Sequence, residues 1–278
     1  MKKGIFILFI LSVFILSNCT EDLNTDYKGK STNRLIVDGS ITTDTTAHIV
    51  KLSRTLDFNA TGINYETGAT VTISDSEHIY ILNEISPGTY STDSSVYGVP
   101  GKTYSLYIET SDGEVYEASS RLNPISGIDS IKFVKEYFDL ANMNFYKLYF
   151  YGQEDPEPGQ FYLWNLYFND SLVNDTIDET TFVEDEMVNG NYISDFDIYW
   201  IEEDDVKLDT FTIKLEMLSI PEEYYFYLVD IMSETSWRGS PWDPMPANVP
   251  TNISNNAVGF FVAQAKTSLS MFYTKPVE

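Results

Sequence analysis

The only cysteine of the chain, Cys19, stands where a lipid could be attached to its thiol. Two lysines precede an apolar run from Ile5 to Leu16, and the run ends at Ser17-Asn18-Cys19. An apolar run of this length is typical of a cleaved secretory signal and is too short to span a membrane, which takes about 20 residues. We therefore predict a lipoprotein signal peptide over residues 1–18 and lipid attachment at Cys19. The alternative is an ordinary signal cleaved nearby, because lipoprotein signals prefer Gly, Ala or Ser at the position of Asn18.

Carboxylates are the most abundant ionisable side chains: the chain has 42 Asp and Glu residues against 17 Lys and Arg residues. We predict no bound cofactor. Calcium is the one alternative, because carboxylate oxygens are the ligands that it prefers. The most acidic stretch lies between residues 169 and 205, and the calcium-ligand candidates there are Glu184, Asp185, Glu186, Glu202 and Asp204. The favoured interpretation is a solvated acidic surface, because none of these clusters has the spacing of an EF-hand loop.

Two carboxylates held about 5 to 9 Å apart could also hydrolyse a glycosidic bond. In so acidic a chain such a pair arises by chance, so the composition alone does not favour an enzyme. The sequence lacks other catalytic signatures. Its two histidines, His48 and His78, have no partners at zinc-site spacing, and no serine lies in a Gly-x-Ser-x-Gly turn. We therefore predict a protein without catalytic activity.

Trp237 and Trp242 are the candidates for ligand contact. They lie in a long irregular segment, 236–256, that is rich in Pro and Asn. Long irregular segments of this kind often carry function. The alternative is that both rings pack against the protein and hold the segment in place.

Short runs of alternating apolar and polar residues predict an Ig-like or prealbumin-like β-sandwich over residues 34–126. Thr103–Glu109 shows the alternation best, because every second residue from Tyr104 is apolar. Asp112-Gly113 follows it as the signal of a tight hairpin. The polar segment 19–33 has no periodicity, so we predict a flexible tether there.

A second antiparallel β domain with one helix is predicted over residues 127–278, which makes the fold mainly β with two domains. The break before it carries Pro124 and Gly127. Within it Thr210–Met217 alternates again, and Glu154–Gly159 is predicted to be an exposed loop.

The helix of this second domain is predicted at about residues 220–234. Ser219 and Glu222 have the spacing of a capping box. Four apolar residues follow at the spacing of a core-facing stripe: Tyr225, Leu228, Val229 and Met232. Two closing strands, Val258–Gln264 and Ser268–Tyr273, are placed in the same domain.

Nine short motifs follow one another in a recognisable order. They are Ile36–Thr42, Val50–Thr55, Gly68–Ile73, Gly88–Tyr90, Gly101–Leu106, Ile128–Ile131, Ser240–Pro246, Thr251–Ile253 and Val258–Phe261. Their order resembles a family of Bacteroidota lipoproteins known as domain-of-unknown-function family 4249 (DUF4249). The closing part departs from that family in having Trp242 where Phe is usual and Asn255-Asn256-Ala257 in place of a glycine-rich turn.

The resemblance implies an outer-membrane lipoprotein of a kind often encoded near TonB-dependent receptors, and it brings no catalytic residues. We therefore predict a non-enzymatic binding or accessory subunit, lipid-anchored in the cell outer membrane beside such a receptor. We expect it at the cell surface, with the periplasmic face as the alternative. A carboxylate-dependent hydrolase of surface polysaccharide or peptide is one alternative function, and a structural adhesin is another. The net charge of −25 excludes nucleic acid as a partner, because it repels a phosphate backbone. The ligand, a small molecule or a glycan, is not identified.

Overall fold

The computed structural model describes residues 33–57, 60–140, 142–186, 188–236, 238 and 248–275. Cys19, Trp237 and Trp242 lie outside these residues, as do the predicted signal peptide and nearly all of the tether. The described chain is mainly β, as predicted, and has one α-helix. Within the described ranges, no helix is both long enough and apolar enough to cross a membrane.

The strands and the helix have the following bounds. The first eight strands are β1 Leu35–Thr42, β2 Ile49–Arg54, β3 Asn64–Tyr65, β4 Thr70–Ser74, β5 Ile79–Ser86, β6 Thr89–Ser91, β7 Thr103–Glu109 and β8 Val115–Arg121. The later elements are β9 Ser130–Phe138, β10 Met143–Gln153, β11 Phe161–Phe168, β12 Ser171–Leu172, β13 Thr181–Glu184, β14 Tyr192–Glu202, β15 Thr210–Ile220, α1 Glu222–Thr235, β16 Val258–Gln264 and β17 Lys266–Thr274.

The first unit is a single sheet made of β1–β8 and β16, and its two ends nearly meet. The strand order is β16-β1-β2-β6-β5-β4-β7-β8, with the short β3 paired to β2. Across the remaining gap the amide of Ala263 in β16 donates a hydrogen bond to Ser120 Oγ in β8 at 2.9 Å. The inner face encloses a core in which Tyr90, Tyr104 and Phe261 are fully buried. The sheet therefore covers most of its own apolar face.

Strand β7 confirms the predicted alternation, and a hairpin follows it as predicted, although its turn is longer than the two residues that Asp112-Gly113 indicated. Tyr104, Leu106 and Ile108 point into the core and are each at most 1% exposed. The hairpin closes where the amide of Thr110 donates to the carbonyl oxygen of Glu114 at 2.9 Å. Gly113 in this turn has a φ of +89°, a conformation that glycine adopts readily.

Strand β16 corrects the prediction for the end of the chain. Val258–Gln264 pairs in parallel with β1 in the first unit, whereas the neighbouring β17 pairs with β15. The prediction that both strands belong to the second domain is wrong for β16, because local patterns carry no information about a partner at the other end of the chain. The division into 34–126 and 127–278 stays a prediction.

The second unit, β9–β15 with α1 and β17, packs two sheets face to face. One sheet has the order β14-β10-β9, and the other has the order β12-β11-β15-β17 with β13 paired to β11. Aromatic rings fill the space between them: Phe133 stacks on Tyr146 at 5.1 Å, and Tyr273 meets Phe133 edge-on at 5.0 Å. Strand β15 buries the four residues predicted to share one face: Phe211, Ile213, Leu215 and Met217.

Helix α1 lies at the predicted place, but the predicted capping box is wrong. Its N-cap is Pro221, and no side chain caps it. Ser219 belongs to β15, and its hydroxyl donates to the carbonyl oxygen of Asn123 at 2.8 Å. The strand therefore continues through the residue that the sequence pattern assigned to the helix start.

The predicted apolar stripe of α1 is only partly buried. Leu228 is buried, whereas Val229 is 37% exposed. The helix also packs through Tyr224 and Tyr227, whose ring centroids both lie 5.0 Å from that of Phe260 in β16. The contact surface is therefore rotated from the predicted stripe toward the tyrosines.

The parallel β1–β16 pairing predicts a large effect of Gly259→Ala. Gly259 has a φ of +94°, and a Cβ atom there would collide with the backbone carbonyl of Val37. We expect the free energy of unfolding to fall by more than about 4 kcal/mol, measured by urea denaturation. The matched control is Gly113→Ala, because Gly113 also has a positive φ but has no atom within 4 Å of a Cβ built on it. The control should cost only about 1–3 kcal/mol, and equal costs at both sites would contradict the pairing.

Candidate functional site

A cavity of about 360 Å³ lies between the two sheets of the second unit. Strands β10 and β14 form one wall, β11, β13 and β15 form the other, and Tyr225 of α1 lies at one side. The described residues that line it are Ser126, Phe150, Gln153, Glu154, Tyr162, Trp164, Phe182, Val183, Glu184, Asp185, Glu186, Val188, Ile193, Phe196, Met217 and Tyr225. Most of them are apolar, so the cavity is a continuation of the apolar space between the sheets.

Trp164 lies at the centre of the aromatic part of this lining. Tyr162 and Trp164 are two residues apart on β11, so both face the same side of the strand. The ring centroid of Trp164 lies 5.6 Å from that of Phe196, 6.0 Å from that of Tyr162 and 6.1 Å from that of Phe150. Rings from three strands therefore meet around one indole.

The indole nitrogen of Trp164 has no hydrogen-bond partner among the described residues. Trp164 is only 2% exposed, so water does not reach the ring freely. A buried donor without a partner costs about 1–3 kcal/mol, and native proteins keep few of them. The nitrogen atom is itself shielded from solvent, so this unsatisfied donor belongs to the packing around the cavity and is not a contact that the cavity offers.

Glu154 is a buried carboxyl in the same lining. It is 4% exposed, and the hydroxyl of Tyr162 donates a hydrogen bond to Glu154 Oε1 at 2.7 Å. Burial raises the pKa of Glu154, and the nearby charges of Asp185 and Asp155 raise it further, although the hydrogen bond from Tyr162 opposes them. The cavity thus contains an acid whose charged form is disfavoured by its surroundings.

Asp185 is the second buried carboxyl, at 2% exposure. Both of its carboxylate oxygens accept the amide hydrogen of Gly159, each at 3.1 Å. The amide of Asp185 in turn donates to the carbonyl oxygen of Gln160 at 3.1 Å. Asp185 therefore fixes the loop that leads into β11.

The structure separates the five predicted calcium ligands into two places. Glu184, Asp185 and Glu186 line the cavity. Glu202 ends β14, and Asp204 lies in the short 3₁₀ turn that follows it. Among the described residues, these carboxylates do not form a group of three within ligand distance of one another. Calcium binding by them stays a prediction.

Asp75, Glu77 and His78 are the one group within the described ranges whose ligand-type atoms lie within 4.8 Å of one another. Lys102 Nζ already lies against two of them, 2.9 Å from Asp75 and 2.7 Å from Glu77. Burial opposes ionisation of Asp75, but the amides of Glu77 and His78 and the ammonium of Lys102 lower its pKa to about 2. The cluster is therefore an ion-paired turn with its own cation.

Sequence reasoning missed Glu154, Tyr162 and Trp164 as site residues. Glu154 was placed in an exposed loop, and that is wrong for this residue, although the loop is exposed from Pro156 to Gly159. The sequence does contain a signal for two of these residues: Tyr162 and Trp164 are large aromatic residues two positions apart, so they share one face of β11. Trp237 and Trp242 lie outside the described residues.

The family of the chain follows from a comparison with known families. A family model described as "Domain of unknown function (DUF4249)" matches residues 20–270, which is most of the chain. This match confirms the resemblance seen in the order of the short motifs. No curated protein matches the chain.

The buried carboxyl predicts a pH-dependent effect of Glu154→Gln on stability. Because its pKa is raised by folding, protonated Glu154 stabilises the fold below the ordinary pKa of glutamate, and this contribution is lost as the pH rises through the raised value. Gln cannot ionise, so the variant should melt higher than the natural protein at pH 7, by roughly 2–4 °C per kcal/mol regained.

The difference should disappear near pH 4, and thermal melts from pH 4 to pH 8 would show it. Glu157→Gln is the matched control, because Glu157 is exposed in the adjacent loop. A difference between Glu154→Gln and the natural protein that does not change with pH would contradict the assignment.

Proposed function

The chain belongs to the DUF4249 family, and we propose that it is a lipid-anchored, non-enzymatic binding protein whose small-molecule ligand occupies the cavity between the sheets of the second unit. The observation that carries this proposal is the cavity itself. Its volume of about 360 Å³ falls in the range of small-molecule sites, which are about 300–1,000 Å³ and mostly apolar with a few polar groups.

One polar group in the lining supports a binding role over simple imperfect packing. Glu154 is a buried acid, and no Lys, Arg or His is among the described residues that line the cavity. A void left by poor packing would be lined by apolar atoms, since buried polar groups are costly. Polar groups that a ligand can satisfy are what a specific site requires.

The proposed location rests on the sequence of residues 1–19. The signal and Cys19 supply a lipid anchor, and stable anchoring needs more than one acyl chain. The family resemblance supports the outer membrane and a TonB-dependent receptor as the neighbouring protein. Crosslinking in intact cells followed by identification of the joined protein tests this partner, and recovery of the uncrosslinked chain alone would count against it.

One observation favours hydrolysis by a carboxylate pair as a second candidate function. The pKa of Glu154 is raised, and glycosidases use one protonated carboxyl as the acid beside a second carboxylate. Against this, Asp185 already holds the amide of Gly159 with both oxygens. Hydrolysis of surface glycans or peptides that is lost in Glu154→Gln would establish this alternative, and no turnover on a broad panel would dismiss it.

A cavity that binds ligand should accept the neutral dye Nile red, and Val183→Trp should weaken that binding. Val183 lines the cavity from β13, so a larger side chain there fills the space. We expect a fluorescence titration with one dye per chain for the natural protein and at least a tenfold weaker affinity for the variant. The matched control is Val115→Trp, because Val115 is 41% exposed on β8 in the other unit.

The melting temperature of both variants is measured alongside. Weaker dye binding in Val183→Trp together with a preserved melting transition supports the proposal. Unchanged dye binding in Val183→Trp would show that the dye binds elsewhere.

The lipid anchor predicts that radiolabelled palmitate enters the protein through Cys19. We expect the label in the natural protein, its absence in Cys19→Ala, and release of the variant from the membrane fraction. Ser17→Ala is the matched control and should still be labelled. Unlabelled natural protein in the culture medium would contradict the anchor.

A further inference from the structure

We propose that the cavity ligand is an organic cation, an ammonium group carried on an apolar body. This inference rests on the proposed function and names the chemical class of the ligand. It follows from which charges line the cavity and which aromatic rings accompany them.

The charged residues of the lining all have one sign. Among the described lining residues, four are acidic and none is Lys, Arg or His; the acidic ones are Glu154, Glu184, Asp185 and Glu186. None of the four has an ion-pair partner within the part of the chain that the structure describes. The raised pKa of Glu154 agrees with this, because a neighbouring cation would lower it. An anionic ligand would be repelled here, whereas a cation would be attracted.

The aromatic residues of the lining favour the same kind of ligand. Six of the described lining residues carry rings: Phe150, Tyr162, Trp164, Phe182, Phe196 and Tyr225. The negative face of an aromatic ring attracts a cation, and tryptophan does so best. Aromatic residues together with carboxylates therefore provide both the apolar contact and the countercharge that an ammonium group needs.

Three compounds with the same phenoxy body test the charge preference. They are 2-phenoxyethylamine, a cation, 2-phenoxyethanol, which is neutral, and phenoxyacetate, an anion. We expect isothermal titration calorimetry at pH 7 to give the tightest binding for the amine, about tenfold weaker binding for the alcohol, and none for the acid. The affinity of the amine should fall as salt is added, because salt screens the attraction.

Glu154→Gln should weaken binding of the amine about tenfold and leave that of the alcohol within about twofold. The matched control, Glu157→Gln, should change neither. Should Glu154→Gln fail to fold, Glu184→Gln provides the same test, because Glu184 is exposed at the end of β13.

The outcomes separate this inference from the proposed function. Equal binding of the amine and the alcohol, or tighter binding of the acid, would overturn the charge preference while the cavity remained a binding site. Nile red binding without binding of any phenoxy compound would overturn the inference alone. Failure of Nile red and of all three compounds to bind would overturn the proposed function itself.

Discussion

One residue, Ala265, separates a strand of the first unit from a strand of the second, so this short passage constrains where both strands lie. Strand β16 ends at Gln264, and β17 begins at Lys266. Ser219 of β15 makes two hydrogen bonds to the backbone of Ala265. Its amide donates to the Ala265 carbonyl oxygen at 3.0 Å, and its hydroxyl oxygen accepts from the Ala265 amide at 3.1 Å. The same hydroxyl donates to the Asn123 carbonyl oxygen. A buried serine therefore satisfies backbone groups from both units at one point.

The geometry of the cavity depends on the position of Ser219 in the β11–β15 pairing. Ser219 lies directly opposite Tyr162 in the β11–β15 pairing, and Met217 lies opposite Trp164. A slip of one residue in this register would turn both aromatic rings away from the cavity. On the other side of β11, Asn174 Nδ2 donates to the Trp164 carbonyl oxygen at 2.8 Å, which fixes the strand again. The residues that could bind ligand are thus placed by backbone pairing.

Features that depend on residues close together in the chain could be predicted from the sequence. Pairings between segments that are far apart in the chain could not. The alternation in β7 and β15 was read correctly, because a two-residue period is a local property. The place of β16 was wrong, since its partner β1 lies at the opposite end of the chain. Ser219 was assigned to a helix cap because Ser and Glu at that spacing usually cap a helix, but the strand pairing and the contact with Ala265 prevail over that preference. The site was found only in part for a related reason: acidity suggests exposure, so the burial of Glu154 and Asp185 could not be read from residue type.

The burial of Glu154 is best understood together with the charges around it. Most of the carboxylates of so acidic a chain can remain in water, yet this one is buried beside Asp185, without a basic residue among the described residues of the cavity. Such an arrangement lowers stability, because burial and a like charge both disfavour ionisation. The cationic ligand that we propose would supply the basic partner that the described lining lacks, and it would turn this unfavourable burial into a favourable contact. The proposal thus gives a physical reason for a carboxyl that the fold alone does not explain.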